Sequence, residues 1–245
     1  MIIYGLHAVG EAVLAGRVRE IRVAGRDDVR VRRILADAAA RGIAVTRVDR
    51  AVLDRAARHG VHQGIVAEVE PPPDATVESL VASADQATLI VVLDGVEDPH
   101  NVGAIVRTVD AAGATGLVRQ QRRAAPLTGA AAKAAAGALP HVPIADVVNI
   151  ARTIEALKGA GVWTVALDAH AETAYYELDL TLPTALVLGA EGHGLRRLVR
   201  ERCDVMAAIP MAGHVGSVNV SAAAAIVLFE AVRQRRLQLS PGPRR

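Results

Sequence analysis

Cysteine is nearly absent from this 245-residue chain, and the lone Cys203 cannot form an internal disulfide. A disulfide-stapled secreted scaffold is therefore excluded. Aromatic residues are also scarce, at 2% of the chain. That argues against an RNA-binding sheet that stacks bases on exposed Phe and Tyr. No apolar run approaches the roughly 18–20 residues that a membrane-spanning helix needs. The opening MIIYGLHAVGEAV has neither the basic segment nor the cleavage pattern of a signal peptide, so a cytoplasmic protein is expected. Lysine is rare too: Lys133 and Lys158 are the only two, and arginine carries the rest of the positive charge.

The net charge of +2 is too small to imply a nucleic-acid partner. The arginines nevertheless cluster at 30–33, 119–123, 196–200 and 233–236. An arginine fork suits two-point contacts with phosphate, although solvated helix faces produce the same pattern. His59 and His62 form the one close histidine pair. They have no carboxylate or thiol at ligand spacing, so no metal is expected.

Three consecutive prolines, 71–73, mark the clearest break. They cannot continue a helix or a central strand and favour an extended spacer. The expected organisation is a small α/β module over 1–70, a linker over 71–85 and a larger domain over 86–240. In the first module the spacing predicts helices at 5–15, 29–41 and 50–58, and strands at 20–24, 43–48 and 60–70. The second repeats strand then helix. Strands are predicted at 87–96, 115–120, 162–169, 184–189 and 205–211. Helices are predicted at 101–113, 144–161, 194–202 and 218–236. That alternation predicts a parallel α/β sheet, and the uninterrupted apolar run at 87–96 suits a strand buried on both faces.

Three clusters resist a reading as packing alone. The first is LDGVEDPHNVGAIVRT, 93–108, where a polar loop joins a strand to a helix. Ligands in open α/β sheets bind beyond the carboxyl ends of strands. Asn101 is either a helix cap or a site residue, and Arg107 either a surface residue or a ligand contact. The second is LVLGAEGHGLRR, 186–197, a strand that runs into a glycine-rich turn carrying Glu191. Its GxxGxG spacing is not the dinucleotide fingerprint, which disfavours a nucleotide-dependent oxidoreductase. Glu191 is alternatively a first-turn carboxylate favoured by a helix dipole. The third is IPMAGHVGSVNVS, 209–221, which crowds Ser217, Asn219 and Ser221 onto one helix start. A packing account has Ser217 as the cap, Asn219 as a tolerated first-turn residue and Ser221 bonding back to a carbonyl. That explains one of the three comfortably.

Together the clusters resemble the three motifs of the SpoU (TrmH) family. The N-G-x-x-R pattern is similar to N101-V-G103-A-I-V-R107, and G-x-E-G-x-G matches G189-A-E191-G192-H-G194. The ending I-P-M-x-G…S-L-N-V-S matches 209–221, with Val218 in place of leucine. Residues 133–163 and the ending LFEAVRQRR resemble the bacterial 23S rRNA guanosine-2′-O-methyltransferase branch. The stretches YGLHAVGEAVLAGRVREI and HQGIVAEVE resemble that branch's L30e-like RNA-binding domain.

The resemblance implies an S-adenosylmethionine-dependent RNA ribose 2′-O-methyltransferase whose C-terminal SPOUT domain carries a deep trefoil knot. Gly189, Ile209 and Val218 would line the cofactor site. Asn101, Arg107, Glu191, Ser217 and Asn219 would form the polar catalytic set. Arg107 would either clamp a phosphate and steady the developing alkoxide or act as the base; free arginine is protonated at any ordinary pH, which favours the clamp. Glu191 would order its neighbours or take the proton through water. Arg22, Arg30, Arg32, Arg33 and Arg58 are candidates for rRNA phosphate contacts. A homodimer is implied, with no membrane or DNA partner. The alternatives are the same chemistry on tRNA or on another rRNA nucleotide, or an RNA-binding factor without activity. Within the third cluster, Ser217 and Asn219 are expected to serve the substrate and Ser221 the helix.

Overall fold

A computed structural model describes residues 1–25, 28–58, 60–71, 74–82, 84–85, 87–122 and 124–239. His59, Arg123, Pro72 and Pro73, all singled out above, lie outside the described residues.

The elements run β1 (Ile2–Tyr4), α1 (Leu6–Leu14), β2 (Val18–Val23), α2 (Val29–Ala40), β3 (Ala44–Arg47), α3 (Arg50–Ala56) and β4 (Ile65–Val69). There follow β5 (Asp74–Ala75), α4 (Val77–Val81), β6 (Leu89–Asp94), α5 (Pro99–Ala111), β7 (Gly116–Gln120), α6 (Ala130–Ala134), β8 (Ile144–Val147) and α7 (Ile150–Gly159). The chain ends with β9 (Trp163–Leu167), a 3-10 turn (Tyr175–Glu177), β10 (Thr184–Gly189), α8 (Arg197–Arg202), β11 (Val205–Ala207) and α9 (Val220–Leu239). No helix among the described residues is long and apolar enough to cross a membrane.

Two compact units divide the chain. One comprises Met1–Pro73, Pro99–Arg107 and Ala125–His141; the other comprises Asp74–Asp98, Thr108–Ala124 and Val142–Arg245.

The first unit holds a mixed four-stranded sheet in the order β1-β4-β2-β3. β4 pairs antiparallel with both β1 and β2, and β3 adds a parallel edge whose four residues are all exposed. Asp28 caps α2 by accepting the Arg30 and Val31 amides, both at 2.8 Å. His62 is buried and spoken for: its Nε2 lies 3.0 Å from Asp54 Oδ1, and its Nδ1 accepts the Gly64 amide at 3.0 Å. Gly103 of α5 meets α6 so closely that a Cβ there would lie 2.3 Å from the Ala131 carbonyl oxygen, which only glycine tolerates.

The second unit is built on seven parallel strands in the order β11-β9-β10-β6-β7-β8-β5. The expected parallel α/β sheet is therefore present. β6 is its central strand and is buried at all six positions, as its uninterrupted apolar run requires. Ile90, Val92 and Val187 pack with Ile150, Ile154 and Leu157 of α7 in one continuous core.

Several boundaries differ from expectation. The helix expected over 144–161 is strand β8 followed by α7, because Ile144–Val147 pairs with β7 and Asn149 then caps the helix by accepting the Arg152 amide. Part of the expected 71–85 spacer is ordered structure. β5 pairs with β8, and Thr76 and Ser79 form a reciprocal cap that starts α4. β1, α6 and the 3-10 turn add three elements that periodicity did not suggest.

Candidate active site

Three parallel strands of the second unit, β9, β10 and β11, end around one cavity of about 570 Å³. Its wall includes residues at and beyond those carboxyl ends (Leu167–His170, Leu188–Leu195, Ala207, Ile209 and Met211), Arg200 of α8, and Ser217–Val220 and Ala223 at the start of α9. This is where an open parallel sheet offers a ligand site.

The glycine-rich segment makes a closed turn. Ala190 and Gly194 exchange both backbone hydrogen bonds, at 3.1 and 2.9 Å. Gly192 and Gly194 turn the chain with φ of 77° and 64°. Gly189 has no alternative, since a Cβ there would lie 2.2 Å from the Gly194 carbonyl carbon and 2.4 Å from the Leu195 nitrogen. Glu191 rides on this turn and is exposed toward the cavity. Helix α8 begins only at Arg197, so Glu191 is not a first-turn carboxylate of that helix.

The third cluster is wired differently from the packing account. Asn219 immediately precedes α9, and it is the residue that caps it. Its Oδ1 accepts the Ser221 amide at 2.8 Å and the Ser221 hydroxyl at 2.6 Å. Its carbonyl accepts the Ala223 amide at 2.9 Å. On the other side its Nδ2 donates to Glu191 Oε1 at 2.5 Å. Ser217 is therefore not the cap, and Ser221 does not bond back to a carbonyl of an earlier turn. Asn219 serves both the helix and the wall of the cavity.

Gly189, Glu191, Ile209, Ser217, Val218 and Asn219 are thus brought together around the cavity. Asn101 and Arg107 are described in the first unit, on α5. That helix starts at Pro99, whose missing N–H suits a first turn. Asn101 is accordingly inside the helix and buried rather than its cap, while Arg107 is exposed. Cavity residues that the sequence did not single out include Asp168 and His170, and Arg200 of the 196–200 arginine cluster joins them. The Arg200 guanidinium lies 3.4 Å from Asp168, which follows the end of β9.

Much of the clustered arginine is engaged within its own unit. Arg119 bonds Asp146 at 2.7 Å, Arg197 bonds Glu201 at 2.9 Å, and Arg233 bonds Glu230 at 2.6 Å. Arg235 donates to the carbonyls of Ala87, Thr88, Leu180 and Leu182, and burial lowers its pKa. Arg22 sits 3.0 Å from Glu20, whose hydrogen bond raises the arginine pKa, so it is already partnered. Arg30, Arg32, Arg33 and Arg58 are exposed. The Cys203 thiol is pushed up to about 12, first by burial and then by the charge of Asp204, which makes it a poor nucleophile.

Residues 88–229 match the model of the SpoU rRNA methylase family. The chain belongs to that family. Residues 2–75 match a second model, RNA 2′-O ribose methyltransferase substrate binding. Among SpoU relatives, the 23S rRNA (guanosine-2'-O-)-methyltransferase RlmB of Pseudomonas syringae pv. tomato is 45% identical over 98% of each chain. The SpoU methyltransferase AviRb from Streptomyces viridochromogenes, solved in complex with AdoMet, aligns with a TM-score of 0.78 at 29% identity. That alignment covers 97% of this chain and 91% of AviRb. The rRNA methyltransferase from Sinorhizobium meliloti aligns at 0.77 and 30% identity, over 98% of this chain and 88% of the other. The SpoU matches span both units.

Proposed function

We propose that this chain transfers the methyl group of S-adenosylmethionine to the ribose 2′-hydroxyl of a guanosine in 23S rRNA. The observation that carries the reading is a cavity at the carboxyl ends of parallel strands, walled by Glu191, Ser217 and Asn219 from two of the three family motifs, in a chain that is similar end to end to a 23S rRNA enzyme.

The cavity suits the cofactor chemically. About 570 Å³ is within the range of small-molecule sites. Leu188, Ile209 and Val218 offer apolar surface to an adenine, and the acidic Glu191 and Asp168 complement a cationic ligand. When bound, S-adenosylmethionine supplies an electrophilic methyl on a sulfonium that leaves readily, so positioning and proton removal remain for the protein.

Gly189, Ile209 and Val218 hold the cofactor. Asn219 fixes Glu191 by its carboxamide, which orients one carboxylate oxygen at the cavity wall. From there Glu191 takes the hydroxyl proton directly or through water. Ser217 and Asn219 position the ribose. Arg107, with Asn101, holds the neighbouring phosphate and steadies charge on the attacking oxygen. An arginine is suited to that role because its fork matches phosphate and its charge persists.

Residues 1–70 act as an L30e-like RNA-binding domain, with the exposed Arg30, Arg32, Arg33 and Arg58 contacting phosphate. Residues 86–240 form the methyltransferase domain, whose C-terminal segment carries the deep trefoil knot of the SPOUT class. Two copies associate as a homodimer, and a ribosomal substrate puts the enzyme in the cytoplasm. Purified protein, labelled S-adenosylmethionine and defined transcripts test the reading. Methylation of 23S RNA with tRNA untouched is expected. Methylation of tRNA alone would favour the alternative substrate, and no cofactor binding would favour an inactive RNA-binding factor.

A further inference from the structure

Asp94 ends the central strand β6, and its side chain is completely shut off from solvent. It does not line the cavity. Its register partner on β10 is Gly189, where the Glu191 turn departs. The turn comes back to the same place. The backbone N–H of Arg196 donates to Asp94 Oδ2 at 2.9 Å, and its Nε donates to Oδ1 at 2.7 Å. The Arg196 Nη2 also contacts Oδ1. One buried carboxylate therefore grips main chain and side chain of a residue 102 positions away. Gly194 and Leu195, immediately before Arg196, are cavity wall.

We propose that the Asp94–Arg196 pair is the anchor that fixes the return of the 189–195 turn, making both positioning residues for Glu191 and for the cofactor side of the cavity. The inference rests on the functional reading above.

The physical grounds are these. A buried carboxylate is costly unless its lone pairs are filled, and here donors reach both oxygens. Ion pairs that merely fill a core can often be replaced by apolar residues without loss. This one also satisfies a backbone amide at the start of α8, where no side-chain cap is made by Arg196. The internal closure between Ala190 and Gly194 sets the shape of the turn, but nothing in it fixes the turn against β6. The Asp94 contact supplies that second constraint. Position errors of about 1 Å near reacting groups are enough to cost a large share of the rate.

Two variants test the anchor. Asp94→Asn keeps an acceptor for the amide but turns an NH₂ toward the guanidinium or loses the amide contact. Arg196→Gln leaves the carboxylate and its backbone bond and removes the guanidinium. Each is examined by amide exchange over 190–196, S-adenosylmethionine affinity by calorimetry, RNA affinity and thermal midpoint.

Loss of a charge-assisted bond predicts about tenfold faster exchange confined to 190–196, and about tenfold weaker cofactor binding. RNA affinity stays at the wild-type value. Wild-type exchange in the turn together with wild-type cofactor affinity in Arg196→Gln would overturn the anchor, whether or not Asp94→Asn folds. Equal loss of RNA and cofactor binding with a general rise in exchange would overturn it too, as a plain stability effect. Failure of the wild-type protein to bind S-adenosylmethionine counts against the functional reading instead, and the exchange result alone then decides the anchor.

Discussion

Asn219 holds Glu191 with one end of its carboxamide and starts α9 with the other. The Nδ2 donates to Glu191 Oε1 at 2.5 Å, and the Oδ1 accepts the Ser221 amide at 2.8 Å. A single side chain thus couples the position of the carboxylate to the end of the helix that floors the cavity.

That coupling reverses part of the sequence-based expectation for this segment. Asn219→Ala removes a cap, worth about 1 kcal/mol of stability. It also releases Glu191, so both the thermal midpoint and the methylation rate are expected to fall. Ser217→Ala leaves the cap intact and is expected to lower the rate with the midpoint unchanged. Parallel melting and turnover measurements check this. A Ser217→Ala midpoint as low as that of Asn219→Ala would show that the cap was misassigned.

Arg107→Lys separates the two roles open to that residue. A phosphate clamp tolerates lysine in part, because the charge is kept while the fork is lost. Reduced but measurable turnover, with a pH–rate profile close to wild type, is expected. A profile displaced strongly toward basic pH would identify Arg107 as the proton acceptor.

Asp204 predicts a pH dependence of stability. Burial pushes its carboxyl up, but the Lys158 ammonium and the Thr164 hydroxyl and amide outweigh this and leave the pKa below the ordinary aspartate value of 3.8. Lys158 Nζ lies 2.8 Å from Oδ1, and Thr164 donates to Oδ2 from its amide at 2.9 Å and its hydroxyl at 2.7 Å. A folded-state pKa below the unfolded one means that the stabilisation is complete above about 3.8. It is lost as the pH falls through the lower folded value. Denaturant melts of Asp204→Asn should therefore lie below wild type at neutral pH and converge with it in acid. A constant gap at every pH would disprove the linkage.

Much of this was legible in the sequence, for physical reasons that differ by residue. β6 announced itself because a central parallel strand has no solvent face, so every position is apolar. β8 did not, because Ile144–Val147 runs into α7 with no glycine or proline between them. Only Asn149, the cap, marked the change. β5 was hidden by prolines that read as spacer. The Glu191 turn was visible in its glycines, and Gly189 proves to be required by a backbone approach that the sequence gives no hint of. The Asp94–Arg196 contact was beyond reach, since the partners stand 102 positions apart and each alone looks ordinary. The cap is ambiguous in the sequence because Ser217, Asn219 and Ser221 are all capable of it. Only the place where α9 begins chooses among them.

Guanosine 2′-O-methylation of 23S rRNA is decided by mapping ribose methylation in rRNA from cells lacking this gene. One 23S guanosine is expected to lose its 2′-O-methyl group. The mark should return when wild-type protein is restored and fail to return with Glu191→Gln. A 23S methylation map indistinguishable from that of the parent cells would contradict it.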